Sequence, residues 1–214
     1  MEFRTFGTSL KMDNYQEHLY KTNNLIIKYL VGLRIKNILN CLDKKDNVLE
    51  AGCGDGYLLN KIAQKVNSLT CIDINQNRIK TAKKLANRST ITFLKEDITT
   101  MTLNKTFDKI ICSEVLEHIF NYKLAIKNLS YHLNFNGELI ITTPNEIILE
   151  YGRILLFGKR KANLMRIKTN HLHKISYDNI KKISNDLDLK IIKYKPLPLP
   201  ILNLNKLFVL RKLI

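Results

Sequence analysis

Nine residues, Val48-Leu-Glu-Ala-Gly-Cys-Gly-Asp-Gly56, constrain this chain more than any other stretch. A short apolar run stops at three glycines, and helix-forming sequence from Tyr57 to Val66 follows. A strand that breaks into a glycine turn and then a helix aims backbone N–H groups and a helix N-terminus at one point, where α/β folds bind nucleotide-like ligands. Glycine lets the backbone approach such a ligand where any Cβ would collide. Gly52, Cys53, Gly54, Asp55 and Gly56 are therefore candidate cofactor contacts. Several nucleotide-binding families use a GxG turn, and two details narrow the choice. Glu50 precedes the glycines, and a carboxylate there suits a cationic group such as an amino-acid ammonium but repels a pyrophosphate. Tyr57 stands where the dehydrogenase fingerprint GxGxxG has its third glycine. Both details disfavour a nicotinamide-dependent oxidoreductase.

Strands and helices alternate around this turn. Apolar residues from Leu25 to Leu42 follow helical spacing, predicting one or two helices before the first strand at Val48-Leu49. Further strands are expected at Ser68–Ile74, Thr90–Leu94, Phe107–Cys112 and Glu138–Thr142, the last entered through an Asn136-Gly137 turn and closed by Pro144. Asn75 is a good N-cap for a helix to about Asn87, and Tyr122 to Leu133 reads as another helix. Nearly continuous apolar strands alternating with helices indicate a parallel sheet covered on both faces. Beyond Asn145 the pattern loosens. An amphipathic helix is expected over Glu146–Phe157, irregular basic sequence over 158–172, and a helix capped by Ser176 to about Asn185. Leu189–Tyr194 and Leu207–Leu213, joined by the stiff Pro196–Pro200 stretch, would make a hairpin at the sheet edge.

Three further motifs fall after strands. Asp73 in Cys71-Ile-Asp-Ile74 ends the second strand, where a carboxylate grips ribose hydroxyls about twenty residues after the glycines. Asp97 and Ile98 follow the third strand, so Asp97 suits an adenine amino group and Ile74 and Ile98 the ring faces. Ser113 and Glu114 follow the fourth strand, in Cys112-Ser-Glu-Val-Leu-Glu-His118. In order and spacing, residues 46–145 resemble the class I methyltransferases that use S-adenosylmethionine (SAM), most closely the quinone-biosynthesis and other small-molecule members. The resemblance implies a Rossmann-like α/β fold, a seven-stranded, mostly parallel sheet with helices on both faces and its last strand antiparallel. It assigns VLEAGCGDG to the SAM-binding loop, IDIN to the ribose acid, EDI to the adenine contact, and CSEVLEHI and GELIITTPN to the segments around strands four and five. Residues 1–45 would then form N-terminal helices capping the substrate side, and 46–214 the SAM-binding domain, with a lid insert at about 146–175.

Methyl transfer needs no covalent enzyme intermediate, since the sulfonium is already electrophilic and the protein aligns the nucleophile by direct SN2-like transfer. A hydroxyl acceptor gains from a general base, and His118, His171 and His173 are the candidates. No metal is expected, because the histidine pair has no carboxylate near it in sequence. The segment after strand four lacks the Asn-Pro-Pro-Tyr motif of amino-methylating enzymes, and no Pro-Cys or Thr-Cys pair supplies a nucleophile for pyrimidine methylation. Cys41, Cys53, Cys71 and Cys112 show no CxxC or zinc spacing and read as reduced thiols of a cytoplasmic protein. No apolar run reaches the roughly eighteen residues of a membrane span.

The net charge is +16, and it is unevenly placed: residues 151–214 carry 15 Lys and Arg against three acids. An anionic partner is one reading of that bias. Around 146–175 the basic residues adjoin Ile147, Ile148, Leu149 and Ile154–Phe157, which suits a lid over a hydrophobic or lipid-linked small molecule, in peripheral contact with an anionic membrane surface. A cradle for RNA and a merely solvated lid are the alternatives, with few aromatics to stack bases. The expectation is a SAM-dependent methyltransferase acting on a small-molecule acceptor. An RNA methyltransferase and a non-catalytic SAM-binding scaffold are the competing readings.

Overall fold

The computed structural model describes residues 25–145, 151, 171–198 and 203–213. Most of the expected lid, including the helix over Glu146–Phe157, and the first 24 residues lie outside this set. The described elements run α1 (Leu25–Leu39), β1 (Asn47–Ala51), α2 (Leu59–Ala63), β2 (Ser68–Asp73), α3 (Gln76–Leu85), β3 (Ile91–Lys95), β4 (Phe107–Ser113), a 3-10 turn (Leu116–His118), α4 (Tyr122–Tyr131), β5 (Leu133–Pro144), α5 (Tyr177–Asp186), β6 (Leu189–Pro198) and β7 (Asn203–Lys212). The strands form one seven-stranded sheet in the order β3-β2-β1-β4-β5-β7-β6. β1 to β5 are mutually parallel, and β7 runs antiparallel between β5 and β6. The expected Rossmann-like fold with an antiparallel last strand is the fold observed.

Strand alternation divides the core into two layers. Leu49, Ala51, Ile110, Cys112, Leu139 and Ile141 pack against α4 and α5 on one face. Val48, Cys71, Ile111, Ile140, Leu207 and Val209 pack against α1, α2 and α3 on the other. A period of two on strands buried on both faces produces this division directly. Ile35 and Ile38 of α1 belong to the second layer, so α1 is built into the domain core. The N-caps fall where expected: Asn75 accepts from Asn77 and Arg78 N–H, and Ser176 forms a capping box with Asn179.

Three elements differ from expectation. The helix expected over Tyr57–Val66 is only Leu59–Ala63, because the positive φ of Gly56 holds the chain in turns before it and the end tightens to a Lys65 N–H bond to Ile62 O. The turn at Asn136-Gly137 is instead an irregularity inside β5, which begins at Leu133; Asn136 takes φ 61° and the β4–β5 register shifts beside it. The hairpin strands are longer than expected, and β6 takes in Pro196 and Pro198, tolerable at an edge whose N–H groups need no partner.

Candidate functional site

The site is assembled at the C-terminal ends of β1, β2 and β4. β1 sits between β2 and β4, where the strand order reverses, so the connections leave in opposite directions and open a crevice. Gly52, Gly54 and Gly56 all have left-handed backbones, with φ of 78°, 54° and 85°. At Gly52 a Cβ would stand 2.6 Å from Val115, and at Gly56 2.1 Å from Leu59 and 3.0 Å from the Ala82 Cα. At Gly54 it would meet nothing within 4 Å, so this glycine faces open space. The loop is pinned to β2: Gly52 and Cys53 N–H donate to Ile72 O at 2.8 and 2.9 Å, and Gly54 N–H donates to Asp73 Oδ2 at 2.9 Å.

The acids differ in character. Glu50 is buried, and burial pushes its carboxyl up to about 8; the Cys71 thiol donates to it at 3.6 Å. Asp73 is also buried, and its second oxygen accepts the Asn75 N–H at 2.8 Å. Its carboxylate therefore orders both the glycine loop and the start of α3. Asp97 accepts from the Thr99 N–H and hydroxyl at 2.8 and 2.7 Å, shaping the turn after β3. Ile98 is packed in the core, whereas Ile74 is 64% exposed, so of the two expected ring contacts only Ile74 presents its side chain freely. Ser113 shares a 2.8 Å hydrogen bond with the Thr142 hydroxyl. Asp55 is half-buried in the loop.

Glu114 is the most tightly held residue here. Its φ is 56°, and its carboxylate accepts from Thr142 Oγ1 at 3.1 Å and Asn205 Nδ2 at 3.0 Å and pairs with Arg34 at 2.9 Å. Strands β5 and β7 and helix α1 thus converge on one side chain. A strained, over-determined backbone at a strand end is typical of ligand sites.

The histidines separate. Leu172 N–H donates to Glu117 O at 2.7 Å, docking the 171–173 segment on the 3-10 turn. His171 then packs edge-on against His118, ring centres 4.8 Å apart, while His173 turns to Tyr122 and bonds Phe120 O at 3.0 Å. Side-chain donor atoms of Glu117, His118 and His171 lie within 4.8 Å of one another. Glu117 was missed in the sequence reading, and it removes the premise that the histidines have no carboxylate near them. Cys112 is buried and its thiol is pushed up by burial, in keeping with a core role.

Residues 42–194 match a family model described as a methyltransferase domain. The chain belongs to the class I SAM-dependent methyltransferases. Among curated relatives, a ubiquinone biosynthesis O-methyltransferase of Rickettsia canadensis is 33% identical over 135 residues, covering 62% of this chain and 56% of that protein. Another from Rickettsia felis is 28% identical over 182 residues, covering 84% and 74%. The chain thus spans little more than half of the first relative's length. Magnesium protoporphyrin IX methyltransferase from Synechocystis, solved with bound S-adenosylhomocysteine, superposes with a TM-score of 0.69 at 18% identity over 92% of each chain, a likeness of fold.

Within a methyltransferase of this class, the residues present fit the cofactor. Gly54, open where a Cβ would go, and two buried acids, Glu50 before the loop and Asp73 at the end of β2, are the residues that could hold a ligand carrying an ammonium, a sulfonium and a ribose. Sequence reasoning found these through glycine spacing. It could not find Glu117, whose partner His171 lies 54 positions away and arrives only through the docked segment.

Proposed function

We propose that this methyltransferase-family chain transfers a methyl group from SAM to a small, apolar or lipid-linked acceptor. Glu50 and Gly52 to Gly56 would hold the methionine portion, Asp73 the ribose, and Asp97 with Ile74 the adenine, Ile98 staying in the core beneath; Ser113 and Glu114 would border the methionine end. When bound, SAM supplies the electrophilic methyl. The chain's own residues do the rest. Glu50, protonated in its buried setting near pH 7, gains a reason to ionise when a cation is placed beside it. Ser113 and Glu114 are kept at the strand end by Thr142, Asn205 and Arg34. On the acceptor side, His118 or His171 takes a proton from a hydroxyl, with Glu117 favouring the imidazolium that results. His173, bonded to Phe120 O, serves to hold the segment in place.

The observation that carries this reading is the pairing of a left-handed, outward-open Gly54 with the Asp73 carboxylate that fixes it, 2.9 Å away. Asp73→Ala should weaken SAM binding at least about tenfold, roughly 1.4 kcal/mol; a folded variant with unchanged affinity by calorimetry removes the assignment. The lid at 146–175 would cover the acceptor and rest peripherally on an anionic surface. Incubation with methyl-labelled SAM and fractionated extract decides the acceptor class: label in lipid or small-molecule pools supports the reading, label in RNA replaces it, and SAM binding without transfer to any pool identifies a scaffold.

A further inference from the structure

A groove of about 480 Å³ runs between α1 and α2. Val31, Ile35 and Leu39 give it an apolar floor, and Lys28, Lys36, Lys61 and Lys65 stand exposed around it. No acidic side chain is among its described lining residues, and none of the cofactor or acceptor candidates above belongs to it. Lys28 and Lys36 lie two turns apart on α1, and facing them stand Lys61 on α2 and Lys65 in the turn just past its end.

Gly32 adds an independent observation. It lies inside a fifteen-residue helix and lines the groove, where a Cβ would meet nothing within 4 Å. Neither a left-handed backbone nor a tight contact calls for glycine there, and it costs the helix about 1 kcal/mol relative to alanine. A long side chain at this position would project into the open space of the groove.

We propose that this groove binds an amphipathic anion, its apolar chain lying over Val31, Gly32, Ile35 and Leu39 and its phosphate or carboxylate head held by the lysines. The volume falls in the range of roughly 300–1,000 Å³ usual for small-molecule pockets. Ammonium groups suit a compact anionic head, and four like charges around an apolar floor repel one another until an anion joins them. Nucleic acid fits less well, since Tyr57 is the single aromatic side chain among the described lining residues.

The test titrates the full chain with dodecyl phosphate below its micelle concentration and follows backbone amide shifts. Saturable binding is expected, with shifts concentrated in 28–40 and 57–65, and at least tenfold weaker binding of dodecanol and of inorganic phosphate. Gly32→Phe should weaken binding tenfold or more by filling the floor. Gly32→Ala, which meets no obstacle, should bind within about threefold of the parent. Should Gly32→Phe fail to fold, the double variant Lys61→Ala/Lys65→Ala, altered only at exposed side chains, should lose at least fivefold. Equal binding of inorganic phosphate, unchanged binding in folded Gly32→Phe or in Lys61→Ala/Lys65→Ala, or no saturation would overturn the proposal. Flotation with phosphatidylglycerol vesicles assigns the source: flotation abolished by Gly32→Phe places the anion in a bilayer, and flotation unaffected by it leaves a soluble amphiphile.

Discussion

Glu50 lies in β1 between its pairing partners Cys71 and Ile111, buried away from water. Burial raises its carboxyl from 4.5 to about 8, so the folded state holds a proton that the unfolded state releases. The stabilisation is therefore complete below pH 4.5 and is lost as pH rises through about 8. Glu50→Gln should remove that dependence, leaving the variant more stable than the parent at pH 9, on the order of a few kcal/mol, and similar to it at pH 4. Denaturant midpoints at the two pH values check this; a parent curve that stays flat from pH 5 to 9 would contradict it. Gly56 is constrained differently, by its φ of 85° and by Leu59 and Ala82 where a Cβ would go. Gly56→Ala should cost about 2–4 kcal/mol, combining left-handed strain with overpacking. Gly54→Ala, with open space at its Cβ, should cost only the strain, about 1–2 kcal/mol. Thermal or chemical unfolding of the two variants separates these contributions. The glycine spacing was legible in the sequence, whereas which glycine faces a wall and which faces space was not, because Val115, Leu59 and Ala82 are brought there by other elements.

At the scale of elements, a buried ion pair ties α1 to the candidate site, in addition to the packing of Ile35 and Ile38 in the core. Arg34 reaches Glu114 at 2.9 Å, both side chains nearly covered, while Asn37 accepts from Lys195 of β6 at 2.9 Å. Removing one partner of a buried pair leaves the other charge stranded, at about 3–5 kcal/mol. Arg34→Ala should show a loss of that order, and Arg34→Ala/Glu114→Gln should lose less than the sum of the two single variants, as a double-mutant cycle would reveal. Additive losses would mean that the pair is not coupled. The helical spacing of Leu25–Leu42 predicted α1, but its attachment through Glu114 could not be read, since nothing in local sequence links positions 34 and 114. The basic excess of the last third also acquires a partial account here. Lys206 donates to Ile175 O, Lys212 to Leu133 O, and Arg211 pairs with Glu138. Lys190, Lys193 and Lys195 lie on the edge strand β6, where charge discourages pairing with another chain.

Across the whole molecule, the sheet's resistance to acid rests on carboxylates of the opposite kind to Glu50. Burial alone would raise the Glu138 carboxyl, but hydrogen bonds and charge from Lys109 and Arg211 outweigh it and hold it below the ordinary value. At Asp108, burial is likewise outweighed by the Asn47 N–H and by the Asn134 and Asn47 side chains, tying β1, β4 and β5 together. Groups depressed in this way stabilise the fold above their unfolded values and lose that contribution as pH falls through the folded ones. Stability should therefore drop steeply below about pH 4, and Glu138→Gln should flatten part of that limb. An unchanged acid limb in the variant would exclude Glu138 from it.

The sequence by itself determined the strand-and-helix alternation, the glycine turn, the acid that ends β2 and both helix caps, because each is written in residues within a few positions of one another. Spacing on one strand or one turn is local physics. Only the tertiary structure decided that Glu117 meets His118 and His171, that Glu114 anchors α1, that α2 is barely more than a turn, and that a lysine-ringed groove opens beside Gly32. Those depend on distances between elements far apart in the chain, set by how two apolar layers close over one sheet.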